Sequence, residues 1–319
     1  MVKFKTSLKT GDIFYKILRT VFLIGICYLF LFPILYSVSL AIRHPNTVND
    51  PSIIWIPKSI SFESIKMALK LMHYGESLLL TFVMTFFSTI GTVLSCALVG
   101  YGLSRFKFKT KPFLWAIVIL MIVLPPQLLT IPQFLNYRYF DFGGLLKILA
   151  PVTGIESINL TNGNVSVLTF IIPSFFASGL KSGLFIFIFR QFFSGMHREI
   201  EEAARVDGCN ALGIFIKMAL PLSIPAVTTV TLFSVVWHWN EYYSSTIYFL
   251  GDVKPISVML KNLSSLLLSD NSALIMQSAD LLRTYIAAGT LLTILPLLIF
   301  YVFTQRYFVE SIESTGLVG

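Results

Sequence analysis

The sequence predicts an all-α polytopic membrane protein with six transmembrane helices and both termini in the cytoplasm. Of its 319 residues, 55% are hydrophobic and only 13% are charged, whereas soluble domains carry about 25% charged residues. A helix needs roughly 20 apolar residues to cross the hydrocarbon core. Six segments of the chain are long enough: residues 20–42, 77–103, 112–135, 167–189, 222–250 and 284–304. Their apolar residues run continuously, without the alternation that a transmembrane β-barrel requires.

The distribution of Lys and Arg sets the orientation. With both termini inside, the cytoplasmic segments hold fourteen Lys and Arg, and the longer outside segments hold nine. Because basic residues favour the cytoplasmic side of a membrane, residues 1–19 form a basic cytoplasmic entry segment and residues 305–319 a cytoplasmic tail. Residues 20–304 form the transmembrane domain. The net charge of +8 has the same origin and indicates contact with membrane lipid rather than with nucleic acid.

The connections between the spans differ in length and composition. The first outside loop, residues 43–76, contains three prolines and a short predicted helix at residues 61–72. The cytoplasmic turn at residues 104–111 is short and basic. The outside loop at residues 136–166 is long, and long ordered loops are often functional. We expect it either to contact the protein that delivers the substrate or to be a tolerated insertion.

A polar segment, residues 190–221, separates the fourth and fifth spans. Residues 199–207 contain good helix formers, and Gly208 can take the positive φ that ends a helix. Residues 211–218 are apolar enough to pack against protein. The segment therefore predicts a helix, a turn and a second helix on the cytoplasmic side.

The charges of the first helix suggest a docking surface. Glu201 and Arg205 stand four residues apart and can pair on one helical face. This pairing would leave Glu202 available for a partner outside the segment. Ala203 and Ala204 would then form a shallow surface on which another protein can lie closely.

The segment also follows a known spacing: Glu-Ala-Ala, three residues, Gly, nine residues, then Ile, any residue and Leu-Pro. With Met in place of the usual Ile, it resembles the cytoplasmic signature of permease subunits of binding-protein-dependent ABC importers. Flanking matches at Phe192-Phe193, Trp239-Asn240-Glu241 and residues 305–309 are typical of the maltose-type second permease chain. The residues that would couple the chain to an ATPase are Glu201, Glu202, Ala203, Ala204, Arg205, Asp207, Gly208, Met218, Leu220 and Pro221.

The resemblance implies an ABC importer type I permease fold in the cytoplasmic membrane of a prokaryote. A homologous companion permease, two ATPase subunits and an extracytoplasmic solute-binding protein would be its partners. A sugar or oligosaccharide would be the cargo, with peptide, amino acid or phosphate as the alternative. No phosphate-binding loop of the form Gly-x₄-Gly-Lys-Ser/Thr is present. ATP and Mg²⁺ are therefore expected in the partner ATPase, and no cofactor is expected in this chain.

Polar groups inside the spans are costly and are therefore candidates for function. Lys181, between Gly179 and Gly183 in the predicted fourth span, could line the substrate path and meet sugar hydroxyls or an acidic substituent. Alternatively it could lie at a helix interface and pair with a carboxylate of a neighbouring subunit, since small residues four apart allow close approach. The fifth span supplies further path candidates, although an interfacial aromatic belt would look similar. These candidates are Trp239, Asn240, Glu241, Tyr242 and Tyr243.

An ion-coupled secondary transporter is the rival class. It could use Lys181 and Glu241 in a proton relay, but it would not need the polar segment at Glu202. No group of His, Cys and carboxylate residues has the spacing of metal ligands, and no nucleophile–base set has access to water. The sequence therefore predicts a transport subunit with no metal site and no catalysis of its own.

Overall fold

A computed structural model of the protein is helical throughout its described parts. Within them, extended pairing is limited to two isolated bridges, Arg43 with Ile60 and Phe140 with Ile158, so the all-α class is confirmed. The first part of the predicted entry segment and the last residues of the tail lie outside the described residues. The structure describes residues 10–44, 47–48, 50, 55–154, 156–270 and 279–316.

Fifteen α-helices are found in these residues. A 3₁₀ turn (Gly163–Val167) precedes the seventh, and a π-helical turn (Phe215–Ala219) lies between the tenth and the eleventh. The α-helices are, in order, α1 (Thr10–Ala41), α2 (Glu63–Leu71), α3 (Tyr74–Arg105), α4 (Lys111–Val123), α5 (Gln127–Arg138), α6 (Leu145–Thr153), α7 (Leu168–Phe175), α8 (Ser182–Gly195), α9 (Arg198–Val206), α10 (Ala211–Ile214), α11 (Leu220–Leu222), α12 (Ile224–Asn240), α13 (Tyr243–Tyr248), α14 (Ile256–Asp270) and α15 (Ala279–Gly316).

Three of these helices, α1, α3 and α15, are individually long and apolar enough to cross a membrane. Two bent pairs also qualify if each is counted as one span. The helices α4 and α5 meet at 105°, and the stretch Ala211–Leu222 meets α12 at 77°. By length and composition the described residues therefore hold three to five spans, and the predicted number of six is not confirmed.

The departures from six straight spans have local causes. In the predicted third span, Leu124 leaves the helical region with ψ 125° because the following Pro125 disfavours helix at the preceding residue. The predicted fourth span is interrupted between α7 and α8, where Ala177 and Lys181 both have positive φ. The predicted fifth span ends as a continuous helix at Asn240 and resumes in the short α13.

The chain divides into two compact units, one of residues 1–71 and 263–294, the other of residues 72–262 and 295–319. In the first unit the ring of Trp55 packs edge-on against Phe32 of α1, with 4.9 Å between the ring centres. Most of the α1 surface is exposed, which suits a helix surrounded by lipid. The predicted short helix at residues 61–72 is present as α2.

The second unit is centred on α3, which packs against α7, α8 and α12. Gly100 brings α3 and α8 together, because a Cβ atom at this position would lie 2.7 Å from Cβ of Phe189. The core between these helices is mainly aromatic. Its fully buried large side chains include Phe185, Phe189 and Phe193.

The long loop at residues 136–166 has a compact structure of its own. Phe140 and Ile158 exchange two backbone hydrogen bonds of 3.1 and 2.8 Å, and α6 lies in the loop that they close. At the start of this loop, Asp141 forms an ion pair of 3.4 Å with Lys147. The backbone N–H of Gly144 and then Lys147 lower the pKa of the Asp141 carboxyl group.

Candidate functional site

The helix α9 presents one polar side to solvent. His197 precedes it in an extended conformation, and three acidic residues lie in the first turns of the helix. Glu202, Ala203 and Arg205 are exposed, and so is Val206, which is 88% exposed. The exposed side of α9 therefore carries charged residues together with one apolar side chain.

The end of α9 is fixed by backbone hydrogen bonds around Gly208. This residue has φ 82°, the left-handed conformation that glycine adopts at least cost. The N–H of Gly208 donates to Arg205 O, and the N–H of Cys209 donates to Ala204 O, both at 3.0 Å. Together the two bonds form a Schellman motif. The predicted positive φ at Gly208 is confirmed.

A buried ion pair attaches α9 to the C-terminal end of α3. Nε of Arg105 lies 2.7 Å from Oε1 of Glu201, and the two side chains are only 4% and 5% exposed. The two atoms are not aligned as a hydrogen bond, so the contact is an ion pair at close range. Arg105 is held in place by a hydrogen bond of 2.8 Å from its Nη2 to Met196 O, and the Tyr101 hydroxyl lies beside the same carboxylate.

Two details of the predicted surface are wrong. Glu201 pairs with Arg105 of α3 and not with Arg205 of its own helix, because the Glu201 side of α9 faces the protein and not the solvent. Ala204 is only 4% exposed and cannot belong to a docking surface. The exposed part of the motif is therefore Glu202 and Ala203, with Glu202 lining a small recess shared with Arg198 and Arg205.

The second half of the segment is less regular than a single helix. Asn210 caps α10 by accepting a hydrogen bond of 2.7 Å from the N–H of Gly213, and the chain then widens into the π-helical turn. There the Phe215 ring packs against Tyr101 and Phe193, at centroid distances of 5.1 and 6.4 Å. These contacts join the segment to both α3 and α8.

The remaining motif residues lie around this turn. Asp207 is exposed directly after α9, and Met218 is half-buried within the π-helical turn. Leu220 packs against the core of the second unit, and Pro221 is exposed in the first turn of α11. In the second half of the segment Ile214, Phe215 and Ala219 are buried, whereas Leu212 and Ile216 stay exposed.

A cavity of about 240 Å³ lies between the break that separates α4 from α5 and the break that separates α7 from α8. We call it the lysine cavity, because Lys181 is its charged lining residue. Lys181 caps the start of α8 with φ 59°, and its Nζ lies 5.7 Å from the centre of the Trp237 ring. Lys181 therefore lies in the break of the predicted fourth span and not inside a continuous helix. The other polar residues that line the cavity are Gln133, Tyr137, Thr169, Ser178, Ser182, Ser244 and Tyr248.

The glycines beside Lys181 have different surroundings. A Cβ at Gly183 would lie 2.8 Å from Met121 Cβ, so this glycine permits close packing of α8 on α4. A Cβ at Gly179 would meet Ser174 of the preceding turn at 2.6 Å. Only Gly183 lies at a contact between helices, while Lys181 itself is exposed on this chain.

The fifth-span candidates are not gathered around the lysine cavity. Trp239 is buried and lines a separate, apolar cavity of about 430 Å³. Oε1 of Glu241 accepts a hydrogen bond of 2.7 Å from the N–H of Ser244, in the first turn of α13. Asn240, Tyr242 and Tyr243 are exposed on the surface of this chain.

Three residues of the candidate site gave no signal in the sequence. Gln133 and Tyr248 are joined by a hydrogen bond of 2.9 Å across the lysine cavity, although they are 115 residues apart. In the sequence, Arg105 is one of several basic residues in the predicted cytoplasmic turn. Knowledge of which helices are neighbours would be needed to identify any of the three.

Comparisons with known proteins agree with this architecture. The family described as "Binding-protein-dependent transport system inner membrane component" matches residues 8–314. A solved bacterial ABC transporter chain involved in the import of the acidic polysaccharide alginate has a TM-score of 0.68 at 21% identity. The match covers 94% of this chain and 98% of that chain, and it shows that the two chains share a fold.

Relatives with similar sequences span nearly the same length. The polygalacturonan/rhamnogalacturonan transport system permease protein YtcP of Bacillus subtilis is 26% identical, over 91% of this chain and 93% of its own. The arabinooligosaccharides transport system permease protein AraQ of Halalkalibacterium halodurans is also 26% identical, over 92% and 93%. The melibiose/raffinose/stachyose import permease protein MelC of Bacillus subtilis is 26% identical, over 85% and 86%. With a family match over almost its whole length, this chain belongs to the inner membrane components of binding-protein-dependent transport systems.

Proposed function

We propose that this chain is a permease subunit of an ATP-driven importer for a sugar or oligosaccharide. The carbohydrate names of several relatives support this cargo over peptide, amino acid or phosphate. Membership of a binding-protein-dependent family supports an ABC importer over an ion-coupled secondary transporter. In this assembly a companion permease completes the pore, two ATPase subunits bind ATP and Mg²⁺, and an external binding protein delivers the cargo.

The proposal rests on how α9 is attached to the rest of the protein. Its exposed side offers Glu202 and Ala203 to a partner, while its buried side is joined to α3 through the Arg105–Glu201 pair. A shift of α9 by the ATPase is therefore passed to α3, and through Phe215 to α8. Two packings of these helices, biased by ATP binding, would open the path alternately to each side of the membrane.

The proposed topology has six spans and cytoplasmic termini. The bent pairs α4–α5 and α10–α12 count as one span each, and α7 with α8 provides the sixth. Broken helices are tolerated in membranes where the break lines a cavity or is covered by protein. The breaks before α5 and α8 both border the lysine cavity, which supports this assignment.

The lysine cavity is proposed as this chain's share of the substrate path. Pockets that enclose a whole ligand usually measure about 300–1,000 Å³, so a cavity of about 240 Å³ fits part of an oligosaccharide. The companion subunit would supply the rest. Lys181 and the positive N-terminal end of α8 give this half of the path an attraction for anionic groups.

Replacing Glu202 with Ala tests the coupling role. Because Glu202 is exposed in this chain, the variant subunit is expected to fold and to assemble with its permease partner. If Glu202 pairs with a basic group of the ATPase on docking, its loss costs about 2–5 kcal/mol of that contact. We expect uptake of labelled oligosaccharide by cells, and stimulation of ATP hydrolysis by loaded binding protein, to fall at least tenfold.

Glu199→Ala is the matched control for this experiment. Glu199 is also an exposed carboxylate of α9, but it does not line the recess that contains Glu202. Uptake by the Glu199 variant should stay near the wild-type level. Normal uptake by the Glu202 variant would show that α9 does not couple transport to ATP.

Replacing Lys181 with Met tests the substrate path. Met retains the length of the side chain and removes its charge, so a path residue should give normal yield of the complex with reduced uptake. The solved structural neighbour is involved in the import of an acidic polysaccharide, and we therefore expect uptake of acidic oligosaccharides to fall more than uptake of neutral ones. Poor assembly of the complex would instead place Lys181 at a subunit interface, opposite a carboxylate.

Labelling of single cysteines tests the orientation. In a variant without Cys27, Cys96 and Cys209, cysteines introduced at Lys109 and Asn210 should resist a membrane-impermeant thiol reagent in intact cells. A cysteine at Asn162 should react. All three positions are exposed, so a difference in labelling reports the side of the membrane. Reaction at position 210 from outside would reverse the topology.

A further inference from the structure

A group of positive charges lies beside the turn between α3 and α4. They surround a cavity of about 400 Å³ lined by Lys107, Phe108, Lys111, Pro112, Trp115 and Arg190, which we call the basic pocket. It shares no lining residue with the recess at Glu202 or with the lysine cavity, and the proposed function gives it no role.

The charges of the basic pocket have no counter-ion in the described part of the chain. None of its lining residues is acidic, and its three cations are absent from the ion pairs of the described residues. Arg198 adds a further positive charge near Lys111. Cations held this close repel one another, so a bound anion would be attracted by all of them.

The guanidinium of Arg190 is positioned by an aromatic side chain. Its Cζ lies 3.8 Å from the centre of the Trp115 ring, and Nε of Arg190 is buried without a hydrogen-bond partner. Trp115 is in turn stacked on Phe187, with 5.9 Å between ring centres. Arg190 is thus held by aromatic packing, and not by a carboxylate, at the edge of the pocket.

The rim of the pocket is apolar and faces outward. Phe108 and Phe187 are more than a third exposed, and Phe113 is 67% exposed. The pocket also lies where α3 ends and α4 begins, which is the level of the membrane surface for two helices that span it. An adjoining apolar surface suits acyl chains, while the cations suit the headgroup above them.

We propose that the basic pocket binds the phosphate group of an anionic phospholipid. Lys107, Lys111 and Arg190 would surround the phosphate, and the acyl chains would lie along Phe113 and the exposed side of α4. The cytoplasmic location of the pocket rests on the orientation proposed above. An acidic segment of a protein partner would match the charges, but it would leave the aromatic rim in water, and the lipid is therefore favoured.

The test measures lipid retention by the assembled importer. The complex is purified, exchanged into zwitterionic detergent and titrated with phosphatidylglycerol or phosphatidylcholine, and bound lipid is counted by native mass spectrometry. We expect preferential binding of phosphatidylglycerol. Since one basic residue contributes about 1 kcal/mol to attraction of an anionic membrane, Lys107→Gln should weaken this binding about fivefold, and the Lys107→Gln/Lys111→Gln pair about thirtyfold.

Lys109→Gln is the matched control, because Lys109 lies in the same turn and is exposed but does not line the pocket. It should retain wild-type lipid binding. Equal binding of the two lipids, unchanged binding by the double variant, or an equal loss in the Lys109 variant would overturn the proposal. Lys107 makes no hydrogen bond that holds the fold in the described residues, so its single variant remains informative even if the double variant unfolds.

Two further measurements distinguish a lipid ligand from free phosphate and from a protein partner. Displacement of phosphatidylglycerol by millimolar inorganic phosphate would make free phosphate the ligand and overturn the lipid assignment. Loss of the ATPase subunit from the double variant, without loss of lipid, would assign the pocket to a protein partner instead. Lipid retention is measured without transport, so failure here leaves the proposed importer function intact, and failure of the Glu202 experiment leaves the lipid site intact.

Discussion

Glu201→Ala is expected to unfold the region around α9, whereas Glu202→Ala leaves it folded. Removing Glu201 leaves Arg105 with its charge in a site where the side chain is only 4% exposed. An uncompensated buried charge of this kind costs about 3–5 kcal/mol. We expect a lower melting temperature of the purified complex and a lower yield from membranes, since α9 would lose its attachment to α3.

A double replacement identifies the cause. Changing Arg105 and Glu201 together to Met removes both charges and fills a similar volume with apolar atoms, which is often neutral for a buried pair. The double variant should therefore melt above the Glu201→Ala variant. If Glu201→Ala melts like the wild type, or if the double variant melts lower still, the ion pair does not hold α9 in place.

Gly100→Val is expected to have the second large effect. A Cβ atom at position 100 would lie 2.7 Å from Cβ of Phe189 and 3.0 Å from the backbone N of Arg190. Neither atom is the end of a flexible side chain, so α3 and α8 must move apart. Overpacking of a core costs about 1–3 kcal/mol and sometimes more. Because these two helices form the centre of the second unit, we expect reduced assembly and a lower melting temperature.

Gly102→Ala provides the comparison within the same helix. The heavy atom nearest to a Cβ at Gly102 is Cδ2 of Phe106, at 3.9 Å. Alanine should fit there and gain about 0.5–1 kcal/mol from its helix propensity. A melting temperature for Gly102→Ala as low as that for Gly100→Val would mean that glycine is needed along α3 for a reason other than contact with α8.

The features that follow from neighbours in sequence could be predicted. The helix α9, the turn at Gly208 and the short helix α2 depend on local propensity and backbone conformation, and the structure contains each of them. The family signature has the same local character, since its spacing can be recognised without knowing any contact between distant segments. The helical class follows from continuous apolar runs.

Features that depend on distant contacts could not be predicted. Local spacing favoured pairing of Glu201 with Arg205, but a residue of α3 pairs with Glu201 because the tertiary fold brings it closer. Pro125 and Pro126 indicate a bend in the third span, but neither they nor hydropathy give its angle of 105° between α4 and α5. Hydropathy treats a span as a straight helix and does not identify the interruption at Lys181. At both breaks the surrounding packing tolerates prolines or positive φ values, and the sequence pattern does not show this packing.

The π-helical turn at Phe215–Ala219 has a mechanical consequence. In the stretch before it, backbone hydrogen bonds around Gly208 end α9, and Asn210 caps α10. The wider turn departs from the α-helical hydrogen-bond spacing, and such turns occur frequently at functional sites. We expect it to be the element that changes when α9 moves. Elastic deformation would therefore concentrate at this turn, and α9 would move as a rigid body while α12 keeps its place in the membrane.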